Sequence, residues 1–130
     1  VADAYLSGIR GYDIDILWKA VTAGANSVHP SVDASGRVGY EYYNELGYVP
    51  CDVGINESAA RTLEYAYDDW CIWKLGKALG KSDEELVQYR KNALNYRNLY
   101  DAEYCLMNGR RSNGVFRMPF NPLKWGVDFT

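Results

Sequence analysis

Residues 62–72, TLEYAYDDWCI, constrain this chain more than any other stretch. The period of their apolar side chains predicts a single helix over 58–79. Leu63, Ala66, Tyr67 and Trp70 fall on one face at three- and four-residue spacing, the mark of a packing stripe. The other face changes along its length. Glu57, Arg61, Glu64 and Asp68 occupy its N-terminal half, and Ile72, Leu75 and Leu79 its C-terminal half. A surface helix carries charge along its whole outer face. This one is expected to sit between neighbours, with its charged half open to a polar cavity or to solvent.

Around that helix the chain has the means to build a core. Its 130 residues suit one domain, and 48% hydrophobic residues argue against disorder. A net charge of −3 argues against nucleic acid as a partner. No apolar run approaches the roughly 20 residues of a membrane span, so no membrane is expected. No signal peptide is legible, which excludes little because Val1 already opens in a helical pattern. The 12 Tyr and 4 Trp serve either a core with polar tips or a platform for flat ligands such as sugars. Cys51, Cys71 and Cys105 lack metal-ligand spacing and there is one histidine, so no zinc site is expected. Cys71 reads as a small buried hydrophobe, and Cys51 and Cys105 remain open to pairing in an oxidising compartment.

In chain order, 2–9 reads as helix stopped by glycines. Asp13 caps a helix over 14–25 that buries Ile16, Leu17, Ala20 and Val21, with Trp18 and Lys19 toward its other side. Residues 26–38 read as loop, with His29 solvated beside Pro30. A short helix spans 40–46, and 48–52 is extended around Pro50. Asn56 or Ser58 caps the long helix, and Gly80 closes it. Ser82 and Glu85 form a capping box for a helix reaching residue 98, with Leu86, Tyr89, Ala93, Tyr96 and Tyr100 as its stripe. The two-residue connection makes these helices an antiparallel hairpin. Strands at 104–107 and 115–118 flank NGRRSNG, predicting a β-hairpin near the C-terminus.

Five segments, ADAYLSGIRGYD, YYNELGYVPCD, ESAARTLEYAYDDWCIWKLGKALGK, YRKNALNYRNLYD and GVFRMPFNP, together resemble glycoside hydrolase family 92, the calcium-dependent exo-α-mannosidases. The resemblance runs over nearly the whole chain. It implies a mainly α fold, helical hairpins that form part of an α/α toroid, with a β-sandwich domain upstream. It also implies inverting removal of terminal mannose, with α-1,2 linkage as the expectation. Inversion needs an acid and a base about 6.5–9.5 Å apart. The family's acid is a glutamate in an aromatic-Thr-Glu-Gly-Asn segment, and Asp128, Phe129 and Thr130 lead up to it, so the resemblance places the acid one residue past Thr130. The base and the calcium ligands are expected further on. No catalytic or metal residue is therefore carried onto this chain, and the piece alone is expected to be inert and to bind no calcium. Departures from the family are Cys105 and Leu106 for Gly-Phe, Asn121 for aspartate, Trp73 at a usually small position, and a long 26–38 loop.

Three residues are candidates for touching substrate: Glu64, Asp68 and Trp125. Glu64 and Asp68 are four apart on one helix face, and read alone are either an acid/base pair or an Arg61–Glu64–Asp68 ion network. Asp69 is turned away and is expected to bond backbone or a tyrosine hydroxyl. Trp125 would stack on sugar near the expected acid. Arg110, Arg111 and Arg117 are either an anion site or solvated turn residues. Mannose-containing glycans as partner and an extracytoplasmic location follow from the resemblance alone. A piece of toroid would also self-associate through uncovered faces. The alternative is a self-standing helical binding or scaffold module without catalysis.

Overall fold

The computed structural model describes residues 1–124, 126, 128 and 129, with the side chains of residues 33 and 34 outside that description. The chain is mainly α-helical, as the sequence predicts. Helices α1 (Ala2–Leu6), α2 (Ile14–Ala25), α3 (Tyr40–Leu46), α4 (Ser58–Ala78) and α5 (Asp83–Asn92) are followed by a 3₁₀ turn, Asn95–Leu99. Strands β1 (Val28–His29) and β2 (Val32–Gly36) pair antiparallel, as do β3 (Tyr100–Asp101) and β4 (Leu106–Met107). No helix among the described residues is long and apolar enough to cross a membrane.

Local signals set most helix ends. Asp13 accepts the backbone N–H groups of Asp15 and Ile16 at 3.0 Å, satisfying orphan donors of α2. Ser82 and Glu85 complete the capping box of α5. After α4, Gly80 takes a left-handed φ of 72°, and Lys81 N–H reaches the Gly76 carbonyl while Gly80 N–H reaches that of Lys77. This is the doubly bonded glycine stop. The hairpin of α4 and α5 follows from it.

The start of α4 departs from expectation. Neither Asn56 nor Ser58 caps it. Glu57 is the cap residue, at φ 59° with no side-chain cap bond. The orphan donors are met from far along the chain, by the Asp128 carbonyl, which accepts Ala59 and Ala60 N–H at 3.0 Å each.

The larger departure is which face of α4 turns inward. Ser58, Ala59, Thr62, Tyr65, Ala66, Asp69, Ile72 and Leu75 are buried. Of the expected stripe only Ala66 is buried and Leu63 half-buried, while Tyr67 is 63% and Trp70 43% exposed. Polar groups win that face because each has an internal partner, without which burial would be costly. Thr62 Oγ1, for example, accepts Val49 N–H at 2.9 Å and donates to the Ser58 carbonyl at 2.8 Å. Helix α2 departs in part. Of the expected face Leu17 and Val21 are half-buried, but Ile16 is 65% exposed and Ala20 is exposed, whereas Trp18, expected toward the other side, is half-buried and Ala25 is buried. Trp18 comes so close to Gly76 of α4 that a Cβ there would lie 2.9 Å from its ring.

Two irregular stretches also differ. The 26–38 loop contains the β1–β2 pair. Helix α5 ends at Asn92 rather than near 98, where the Tyr43 hydroxyl oxygen sits 3.0 Å from the Asn92 carbonyl oxygen, in the place of the next helical donor, and the chain goes on as the 3₁₀ turn Asn95–Leu99. The C-terminal hairpin is shifted. β4 pairs with β3 across residues 102–105, and Asn108, donating to the Asp101 carboxylate at 3.0 Å, extends that pairing. The expected partner stretch 115–118 instead folds back on 109–111, through the bridge between Arg110 and Phe116 and through Arg117 N–H to the Gly109 carbonyl at 2.7 Å and Arg111 N–H to the Val115 carbonyl at 2.8 Å.

Two small apolar clusters lie against the inner face of α4. Tyr43, Val49 and Tyr65 form one, with the two tyrosine rings edge to face at 5.6 Å. Tyr48, Ala59 and Leu99 form the other. Leu86 of α5 is 1% exposed, and its neighbour Val87 is 61% exposed. Leu86→Ala is therefore expected to lower stability by about 2–5 kcal/mol, and Val87→Ala by less than about 0.5 kcal/mol. Denaturant unfolding measures both.

Candidate functional site

Midway along α4, on its buried face, Asp69 is 0% exposed. Arg37, just past β2 and itself buried, donates Nη1 to Asp69 Oδ1 at 2.7 Å. Tyr43 of α3 brings its hydroxyl within 3.1 Å of Oδ2, the tyrosine contact expected from the sequence. The guanidinium also lies over the rings of Tyr65, at 5.2 Å, and Tyr43, at 5.9 Å. Burial pushes the Asp69 carboxyl above its usual range, against Arg37, which pulls it down. Burial likewise raises the Tyr43 phenol.

Arg37 borders a cavity of about 560 Å³ between α1, α2, β2 and α4. Val21, Ala25, Ile72 and Leu75 make its apolar wall, and Arg37 with Asp68 its polar end. Asp68 stands 3.8 Å from Arg37 Nη2 with its side chain 57% exposed, and partial burial raises its carboxyl. The volume suits a small ligand.

The expected Arg61–Glu64–Asp68 network does not form. Arg61 pairs with Glu57 at 3.6 Å and bonds the Asn56 carbonyl, because Glu57 in its left-handed cap position brings its carboxylate over the first turn. Asp68 is taken by Arg37. Glu64 is exposed and makes no hydrogen bond or ion pair among the described residues. Trp125 lies outside the described residues.

A second polar cluster sits at the N-terminus of α4. Asp128, 5% exposed, faces Arg117 through both oxygens, with Nε 2.5 Å from Oδ2 and Nη2 2.9 Å from Oδ1. The same Nη2 donates to the Cys51 carbonyl at 2.8 Å. Gly109 backs the carboxylate so closely that a Cβ would lie 2.1 Å from Asp128 Oδ2. A cleft of about 190 Å³ opens beside this pair, between Arg117, Phe120, Lys124 and Phe129. Burial raises the Cys51 thiol, which keeps it protonated and unsuited to nucleophilic work. All three cysteines are free thiols. Asp52 accepts Ser112 N–H at 2.8 Å and its hydroxyl at 3.1 Å, and these bonds hold its carboxyl below the usual value.

These contacts revise the reading of the arginines. Arg117 is spent on Asp128. Arg110 donates to the carbonyls of Gly114 and Asn98 and lies over Tyr48 and Phe116. Neither is a free anion site or a solvated turn residue. The rise of α4 separates Asp68 from the Asp128 cluster by about 13 Å, so the two polar centres are not one site. Among the described residues no three Asp, Glu, His or Cys side chains gather to hold a metal ion. Arg37 and Asn92 escaped the sequence reading, and the pairing of Arg117 with Asp128 escaped it too, because none belongs to a periodic pattern and each partner lies outside the reach of local spacing.

Asp128 is nearly buried and Arg117 about one-third exposed. Arg117→Met is therefore expected to destabilise by about 3 kcal/mol, the low end of the range for orphaning a buried charge. Arg117→Lys recovers only part of it, since an ammonium cannot match the two-oxygen geometry. Thermal unfolding of the three proteins measures this.

Comparison with known proteins supplies the chemistry. The model of the glycosyl hydrolase family 92 catalytic domain matches residues 1–130. A family 92 inverting mannosidase from Bacteroides thetaiotaomicron superposes with a TM-score of 0.93 at 40% identity, over 99% of this chain and 17% of its own. A family 92 α-mannosidase from the same organism superposes with a TM-score of 0.82 at 37% identity, over 99% of this chain and 16% of its own. That enzyme in complex with mannoimidazole covers 93% of this chain at a TM-score of 0.78. An uncharacterized secreted glycosidase of Arthroderma benhamiae is 32% identical over 97% of this chain. The chain spans about one-sixth of these relatives' length. It belongs to glycosyl hydrolase family 92, as part of the catalytic domain.

Proposed function

We propose that this chain is a piece of the catalytic domain of an inverting exo-α-mannosidase that removes terminal mannose from mannose-containing glycans, with α-1,2 linkages preferred. The observation that carries this reading is the 40% identity and TM-score of 0.93 to an inverting mannosidase over 99% of the chain. The same reading makes the chain inert alone and part of an α/α toroid. The acid, the base and the calcium ligands then come from other parts of the longer protein. An extracytoplasmic location agrees with the relative named as a secreted glycosidase. Glu64, Asp68 and Trp125 are proposed to face substrate.

The test is an assay of the longer protein on α-linked mannobioses, with the anomer released followed by proton NMR. Release of β-mannose, fastest from the α-1,2 isomer, is expected, with none from the 130-residue chain. Release of α-mannose, or turnover by the isolated chain, would overturn the corresponding part. Alanine at Glu64, Asp68 or Trp125 is expected to raise KM severalfold; an unchanged KM with lowered thermal stability would make that residue structural.

The outward aromatic face of α4 supports the toroid reading. Tyr67 and Trp70 stack with rings 6.0 Å apart and 16° between planes, beside a shallow apolar groove with Leu63, Ala93 and Tyr96. Such a patch is normally covered. The isolated chain is expected to associate as concentration rises in light scattering, and Tyr67→Ser with Trp70→Ser to suppress it. A monomer at all concentrations would count against covering helices at this face.

A further inference from the structure

The hydroxyl of Tyr43 has two acceptors and one proton. Its oxygen lies 3.1 Å from Asp69 Oδ2 and 3.0 Å from the Asn92 carbonyl oxygen. A phenol donates once. With Asp69 ionised, one of those contacts is oxygen against oxygen with no hydrogen between. With a proton on Asp69 Oδ2, both are satisfied, since Asp69 then donates to Tyr43 and Tyr43 donates to Asn92. Oδ1 is free of this conflict and accepts Arg37 Nη1 at 2.7 Å.

The groups around Asp69 divide between the two states. Arg37, after β2, favours the ionised form, and the side-chain amide of Asn92 on α5 also lowers the carboxyl. Complete burial opposes it and prevails. Asp68, the next residue on α4, shares Arg37 at 3.8 Å and so competes for its charge. Tyr65 on α4, Tyr43 on α3 and Tyr89 on α5 also face it, the Asn95 side chain of the 3₁₀ turn lowers the Tyr43 phenol, and the Tyr89 phenol is raised chiefly by burial and further by the Asp69 charge.

We propose that Asp69 is a proton-operated latch at the junction of β2, α3, α4 and α5. Uptake of one proton from solvent at Oδ2 turns the Tyr43 hydrogen from the carboxylate to the Asn92 carbonyl. No heavy-atom bond forms or breaks. The ion pair to Arg37 becomes a hydrogen bond to a neutral carboxyl, and the guanidinium leans on Asp68 at the cavity instead. Mild acid thus ties α3 more firmly to α5 and frees the cavity wall at Arg37. The direction for stability follows by linkage. A carboxyl raised in the folded state adds stability that is complete below its unfolded value near pH 4 and is lost as pH rises through the folded value.

Asp69→Asn tests the latch, because the amide imitates the protonated carboxyl: its oxygen accepts from Arg37 and its N–H donates to Tyr43. In the longer protein, the native unfolding midpoint is expected to rise relative to Asp69→Asn by on the order of 3 °C between pH 7 and pH 4. Tyr43→Phe keeps the ion pair and removes the acceptor of the proton, so introducing it into both proteins is expected to shrink that rise. A difference flat with pH, or one unchanged by Tyr43→Phe, overturns the proposal. If Asp69→Asn does not fold, the infrared carbonyl band of a buried protonated carboxyl gives the answer in the native protein. The band is expected to appear under mild acid and to move in Tyr43→Phe; no band, or one that stays in place, overturns the proposal.

Discussion

A carboxylate with no exposure, midway along a 21-residue helix, is the constraint on which the rest depends. Burying such a charge alone costs several kcal/mol, and α4 tolerates it because Arg37 is brought to the same place. Arg37 must therefore be buried too, which fixes the end of β2 against α4. Tyr43 and Asn92 complete the set and draw α3 and α5 in. Four elements are thus located by the needs of one side chain. The apolar clusters around Tyr43 and Tyr48 fill the space between them, but side chains of that kind could pack in several registers. The ion pair accepts only one.

The second charged pair acts on the same helix from its end. Asp128 contributes its carbonyl to two free N–H groups of α4 and its carboxylate to Arg117, and an anion at a helix N-terminus is further favoured by the helix dipole. Gly109, Arg117 and Asp128 are thereby laid across the start of α4 and beside Cys51, with Gly109 making room. One pair fixes the rotation of α4 about its axis, and the other fixes what lies on its tip. Together they explain how the inner face of the helix can be polar without being loose.

These same pairs explain what the sequence hid. Helices with local stop and start signals were legible: Asp13, Gly80, and Ser82 with Glu85 mark ends that their neighbours alone determine. The helical hairpin followed from them, and the five family-like segments led to the family. The face of α4 and part of that of α2 were not legible, because periodicity assumes that apolar residues turn inward. On α4 the inward face is chosen by Asp69 and Thr62, whose partners are 32 and 13 residues away. The end of α5 was hidden for the same reason, since a hydroxyl from α3 lies against the Asn92 carbonyl. The strand at 106–107 was found but given the wrong partner, because the Asn108–Asp101 bond is invisible to turn statistics. Among the candidate site residues, Glu64 and Asp68 share a helix face as spacing requires, yet only Asp68 meets a partner.

The two faces of α4 also bear on the state of the chain. In a helix whose neighbours are all present, stacked aromatic rings such as Tyr67 and Trp70 are ordinarily covered. Here they are exposed while charged side chains are buried. Inverted helices of this kind are unfavourable in isolation, since the outer face leaves apolar area in water at about 25 cal/mol per Å². The arrangement is reasonable if the outer face is an inner one in the longer protein, whose relatives are about six times the length of this chain. The polar face then serves as a joint within the piece, where specific partners set register, and the apolar face as the seam to the remainder, where area supplies the adhesion. Register is set locally by charge and attachment by apolar contact. That division lets Asp69 respond to a proton without the seam coming apart.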